Sequence, residues 1–223
     1  MQLSADAGFL GLSERDLQGY GCCGGATYRL PRMTDMSDWL TGNHREIGRR
    51  DSARSMILRR DYDADIEDVW AACTEQDRLS RWFLKVSGDL RPGGTFALDG
   101  NAHGEILRCE RPRILALTWK YGDMPDSRVE LRLSASSADT TTLELEHYLL
   151  PDDGVVGVGT GWELPLSVAL PLYLRGELPE AAVADWYEPG EEQRRLAILA
   201  GRAWIELAQA EGLPLPTMPP DLA

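Results

Sequence analysis

Residues Tyr62–Phe83 read YDADIEDVWAACTEQDRLSRWF, and this stretch decides the fold. Asp65 can cap a helix, with Asp68 three residues on in capping-box position. The helix it starts turns Ile66, Val69, Trp70 and Cys73 to one side. Thr74 restarts the pattern with Asp77 at the same spacing, and Leu79, Trp82 and Phe83 follow at helical intervals. Two caps in succession predict two short helices, with Trp70 and Trp82 placed as plugs.

On the upstream side, Arg54–Asp61 alternates as a strand. Arg45–Arg50 and a turn at Asp51-Ser52 complete a hairpin with it. Downstream, strands are expected at Lys85–Leu90, Thr95–Leu98, Glu105–Cys109, Ile114–Tyr121, Arg128–Ser134 and Thr140–Leu150. Turns fall at Asp99-Gly100, Pro112 and Asp123–Asp126. In the last strand Leu143, Leu145, His147 and Leu149 share one face, opposite Glu144, Glu146 and Tyr148. That alternation predicts an antiparallel sheet with one wet side, its glutamates paired across strands with Arg128 or Arg132.

Gly154–Gly161 (GVVGVGTG) lacks the GK[ST] ending of a phosphate loop and reads as the approach to a helix from Trp162 to Arg175. That helix is apolar all round, so both its sides should be buried, and Pro171 should bend it or end it early. Trp162, Leu166 and Tyr173 fall on one face. A final helix, Glu191–Glu211, stops at Gly212 and carries a stripe of Leu196, Leu199, Ala200, Ala203, Trp204, Leu207 and Ala208. The stripe is expected on the back of the preceding helix, with a homodimer or another protein partner as its alternative use. The organisation expected is a flexible extension over 1–35, a domain over 36–176, a linker over 177–190, the added helix over 191–212 and a tail over 213–223. Met33 and Met36 are alternative starts.

Composition limits the function. A net charge of −13 disfavours nucleic acid and anionic membranes as partners. Lys85 and Lys120 are the only lysines among 23 basic residues, an arginine bias that points to genome composition. Cys22, Cys23, Cys73 and Cys109 form no CxxC or Cys/His pattern, so no metal and no cofactor is expected, and the thiols suit a reducing cytoplasm. No basic start and apolar core of a secretory signal is present. The longest apolar run, Trp162–Leu174, is short for a bilayer, so no membrane insertion is expected.

The residues also carry a family resemblance. YDA-x-x-EDVW at Tyr62–Trp70, RWF at Arg81–Phe83, Gly93–Phe96, Gly104-Glu105, Pro112–Trp119, TTLELEH at Thr141–His147 and Gly161-Trp162 together resemble the activator of Hsp90 ATPase homologue-like branch of the START and polyketide-cyclase (SRPBCC) superfamily. The resemblance implies an α+β helix-grip fold, like that of the birch pollen allergen, in which a curved antiparallel sheet wraps a C-terminal helix. It also implies an internal cavity between them, suited to a hydrophobic small molecule such as a lipid or an aromatic, polyketide-like metabolite. The candidate ligand-binding residues are then Trp82, Leu117, Trp119, Tyr121, Leu131, Leu145, His147, Trp162 and Leu166. Members divide among carriers, cyclases and co-chaperones. An enzyme using the same cavity, with His147 or Tyr121 moving protons, and a co-chaperone-like interaction module are therefore the alternatives.

Overall fold

The computed structural model describes residues 36–178 and 191–215. The expected extension over 1–35, most of the linker and the end of the tail lie outside the described residues. A 3₁₀ turn at Met36–Leu40 leads into β1 (His44–Arg50) and β2 (Ala53–Tyr62). Their two-residue connection puts Asp51 at φ 52° and Ser52 at φ 68°, the left-handed pair that suits a tight hairpin. After α1 (Ile66–Thr74) and α2 (Gln76–Leu79) come β3 (Val86–Gly88), β4 (Thr95–Leu98), β5 (His103–Glu110), β6 (Ile114–Trp119), β7 (Ser127–Ala135) and β8 (Thr141–Leu150). All pairings are antiparallel, in the order β1-β2-β8-β7-β6-β5-β4-β3, so β1 and β2 close onto β8 across the whole domain. This is the α+β helix-grip architecture.

The opening stretch folds as two short helices, with one change. Asp65 Oδ1 accepts from the Asp68 backbone N–H at 2.9 Å and caps α1. Thr74 does not start the second helix. Its hydroxyl donates to the Trp70 carbonyl at 2.8 Å inside α1, and Glu75 takes the cap position of α2. The pair is locked when the Trp82 indole N–H donates to the Ala72 carbonyl at 2.8 Å, with both Trp70 and Trp82 buried.

The central helix differs more from its sequence reading. It runs from Val155 to Leu174 as α3 (Val155–Leu164), a π segment (Pro165–Ala169) and α4 (Leu170–Leu174). Gly157, Gly159 and Gly161 lie inside it rather than in its approach. Twenty residues is long enough to cross a bilayer, but the helix is a core element, most of it buried in the fold.

The prolines explain the π segment. Pro171 has no N–H, and the Leu170 N–H bonds back to the Pro165 carbonyl. The Leu166 carbonyl is left without a helical donor, and the Tyr62 hydroxyl supplies one at 2.7 Å. Pro171 therefore neither ends the helix nor leaves a buried acceptor unmet.

The last helix, α5 (Glu191–Ala210), covers the back of the central helix. Leu196, Ala200, Trp204 and Ala208 are at most 1% exposed. With Trp39, Leu40, Leu164, Val168 and Leu172, the first two of these close a second apolar cluster. Gly159 permits the closest approach, since a Cβ there would stand 2.5 Å from the Trp204 ring. The helix ends in a Schellman turn, with Gly212 at φ 66° and the Leu213 N–H bonded to the Ala208 carbonyl at 2.8 Å.

A bulge corrects the strand parity. Arg54 pairs with Leu150 and Ser55 with Tyr148, so Leu149 is skipped and held at φ 64°. Leu150, not Leu149, is fully buried beyond His147. On the opposite face Arg132 binds Glu144 at 2.7 Å and Glu146 at 3.1 Å, and Arg50 binds Glu146 at 2.7 Å.

Candidate functional site

Trp119 ends β6, Ser127 opens β7 directly opposite it, and His147 on β8 faces Val129 on β7. The central helix lowers Trp162 onto this corner. Ring centroids lie 5.1 Å apart for Trp119 and Trp162, and 5.8 Å apart for Trp119 and His147 in an edge-on contact. Phe83 stacks on Trp162 at 5.6 Å, with Trp82 tilted against Phe83 and Phe96 against Trp119. Offset and edge-on pairs of this kind hold more than their buried area alone would suggest.

The polar atoms form a single chain. The Trp162 indole N–H donates to His147 Nδ1 at 3.0 Å, His147 Nε2 meets Ser127 Oγ at 2.8 Å, and the Ser127 hydroxyl donates to the Trp119 carbonyl at 3.1 Å. Indole can only donate, so Nδ1 is bare and the ring hydrogen sits on Nε2. Burial pushes the His147 pKa down to about 3, keeping the ring neutral. In this arrangement Nε2 has no lone pair with which to take a proton, so Ser127 and His147 are not arranged as a nucleophile and its base.

A hollow of about 10 Å³ opens beside these groups, roughly the space of one water. Trp119, Tyr121 and His147, three of the residues singled out in the sequence, line it. Ser127, Met124, Pro125, Leu150 and Val158 complete the lining. The other candidates pack around it rather than in it. Leu131 and Leu145 pair across β7 and β8 and are buried, Leu117 is half-buried on β6, and Trp82, Trp162 and Leu166 are buried in the surrounding core.

The five added residues were hidden for different reasons. Ser127 follows from strand register, since it lies opposite Trp119 across the Tyr121–Asp126 turn. Leu150 was masked by the bulge and Val158 by the glycine-rich run. Met124 and Pro125 belong to the turn itself, and local pattern could not have found them.

Directly behind Trp162 lies a second polar centre. Glu163 is fully buried and accepts from Arg45 Nε at 3.0 Å and Nη2, from Asn43 Nδ2 at 2.5 Å and from Trp204 Nε1 at 2.8 Å. Asn43 also donates to Ser167 Oγ at 2.7 Å and accepts from Arg60 Nη1 at 2.6 Å. Every donor here comes from β1, β2, the loop before β1 or α5, so Glu163 ties the first strands and the last helix to the central one. Burial pushes the Cys73 thiol up to about 12, which makes it a poor nucleophile. Among the described residues, no three His, Cys, Asp or Glu side chains converge to hold a metal ion.

Comparison with known proteins agrees with this architecture. Residues 63–170 match the family model described as activator of Hsp90 ATPase homolog 1-like protein. The crystal structure of CalU16 from Micromonospora echinospora is 45% identical, covers 75% of this chain and 99% of its own, and superposes with a TM-score of 0.66. The solution structure of the same protein gives 46% identity, 75% and 96% coverage and a TM-score of 0.68. DynU16, described as a protein of the dynemicin biosynthetic locus, shares the fold at 24% identity and a TM-score of 0.51, over 56% of this chain and 49% of its own. A search of curated protein sequences finds no match. With a relative at this identity spanned almost end to end, and a family model that runs from α1 through β8 into the central helix, the chain belongs to the activator of Hsp90 ATPase homolog 1-like family of the SRPBCC superfamily.

Proposed function

We propose that this chain is a cytoplasmic START-like protein that binds a hydrophobic small molecule between the concave sheet face and the central helix. The observation that carries this reading is the corner at Trp119, Tyr121 and His147. There an aromatic, uncharged surface surrounds a hollow with one buried polar end. In the closed arrangement the hollow holds no more than about one water, so a ligand enters by displacing the Tyr121–Asp126 turn. The aromatic rings around the hollow make aromatic metabolites the first compounds to try. Native mass spectrometry of freshly purified protein, followed by tryptophan quenching against lipids and aromatic metabolites, tests the reading. Co-purified mass or saturable quenching is expected. A ligand-free mass with no saturable response across both classes would overturn it.

A second reading rests on the same closed interior. A fold whose core is filled can work through its surface, and the family description points to Hsp90 as the partner of such a protein. Adding this chain to an Hsp90 ATPase assay separates the two. Stimulation supports the interaction module, and an unchanged rate removes it.

A further inference from the structure

The hydrogen-bond chain in the hollow has a direction, and the direction selects ligands. Trp162 Nε1 can only give a hydrogen, so His147 Nδ1 must receive it, at 3.0 Å. The ring hydrogen is then on Nε2 and points at Ser127 Oγ, 2.8 Å away. Ser127 has accepted, so its own hydrogen goes to the Trp119 carbonyl at 3.1 Å. Reversing any link would require a hydrogen on Nδ1, which the indole excludes. Both hydrogens facing the serine are accounted for, and Oγ keeps one lone pair.

Ser127 and His147 are 6% and 2% exposed, and both line the hollow. The buried polar end of the hollow is therefore an acceptor. No Lys or Arg is among the lining residues, and the other hydroxyl among them, on Tyr121, belongs to the half-buried start of the turn that a ligand body would displace. A carboxylate or ketone oxygen placed there would meet a lone pair and lose its hydration without return.

We infer that the hollow receives the O–H of a neutral apolar hydroxy compound, of the phenol or alcohol class, donated to Ser127 Oγ. Matching ethers, ketones and carboxylates are rejected. This rests on the binding reading above and narrows it. The volume of about 10 Å³ suits a hydroxyl and nothing larger, so the ligand body takes the space that Met124 and Pro125 now cover. Met124 is 38% exposed, so the cover over the hollow is a surface turn, with Gly122 at φ 52° in the left-handed conformation that glycine adopts without strain.

The test is a ligand-observed NMR titration of the whole chain at neutral pH with 2-naphthol, 2-methoxynaphthalene and 2-acetonaphthone. The naphthol is expected to bind at least about tenfold more tightly than the ether or the ketone, the discrimination a site gains when a buried group would otherwise stay unpaired. Ser127→Ala removes the acceptor and leaves His147 Nε2–H facing the hollow. In that variant the naphthol and the ether should converge to within about twofold, while the ketone gains. A variant that is merely less stable would weaken all three probes together. Equal affinities in the unmodified protein, or a preference for the ketone, would overturn the hydroxyl selection and leave the binding reading standing. Absence of binding by all three would overturn the hydroxyl selection, while the binding reading is decided separately by the native mass and the quenching response across lipids and aromatic metabolites. If Ser127→Ala does not fold, the ranking in the unmodified protein still decides.

Discussion

Trp162 and Glu163 are adjacent in sequence, both buried, and sit in opposite electrostatic worlds. The front of the central helix, at Trp162, is neutral. Its polar atoms run in one file through His147 and Ser127, and a hollow remains beside them. The back, at Glu163, is charged and filled, with Arg45, Asn43 and Trp204 converging on one carboxylate. A buried imidazole can shed its charge, so the front needs no counterion. A buried carboxylate facing a guanidinium requires full hydrogen bonding. The difference is one of packing: the back holds α5 and the first strands in place, and the front keeps uncharged polar atoms beside a small hollow.

The largest effect should come from the back. Glu163→Ala strands the mostly buried Arg45 and the Trp204 and Asn43 donors, and should cost about 3–5 kcal/mol in urea unfolding. Glu163→Gln, which keeps an acceptor, should recover part of that. A loss below about 1 kcal/mol for the alanine variant would break the contrast.

Next comes the contact that lets α5 lie down. Gly159→Ala drives a methyl group into the Trp204 ring and should destabilise by about 1–3 kcal/mol. In a Trp204→Ala background the same change should be neutral or stabilising by up to about 1 kcal/mol, because alanine is the better helix former. A double-mutant cycle measures the coupling, and additivity would show that the ring does not rest on that glycine.

The front should show itself in pH rather than in a deletion. His147 titrates near 3 when folded, against about 6.5 in the unfolded chain. Between those values the unfolded chain binds a proton that the folded one does not. Stability is therefore complete above about pH 6.5 and falls as pH drops toward 3. From pH 7 to pH 5 the loss from this residue should be about 2 kcal/mol. Subtracting the same measurement on His147→Gln cancels the contribution of other groups, and a zero difference would mean that the imidazole is not held neutral.

Much of this could be read in advance where a local rule governed. Asp65 capped α1 as its spacing implies, the Asp51-Ser52 hairpin formed, and parity placed Leu143, Leu145 and His147 on the inner face. The readings that changed were those in which a distant partner overrode local preference. Gly154–Gly161 looked like a loop because glycine weakens helices, yet Trp204 needs the flat surface that Gly159 provides. Pro171 looked like a terminator, yet Tyr62, over a hundred residues earlier, supplies the hydrogen that its ring denies to Leu166. Leu149 looked inward until the β2–β8 register skipped it.

The pattern of caps, turns and alternating strands determined by itself two short helices, a run of antiparallel strands and an apolar helix after them, and the family resemblance supplied the curved wrap of that sheet around the helix. Each of those local signals lies within a few residues and acts through backbone sterics and the burial of one face. Only the tertiary structure decided which way the hydrogens point at Ser127 and His147, how little space remains there, and that Glu163 rather than a partner chain receives Trp204. Those outcomes depend on side chains brought together from opposite ends of the sequence, where hydrogen-bond direction and close packing are settled by partners that no local pattern contains.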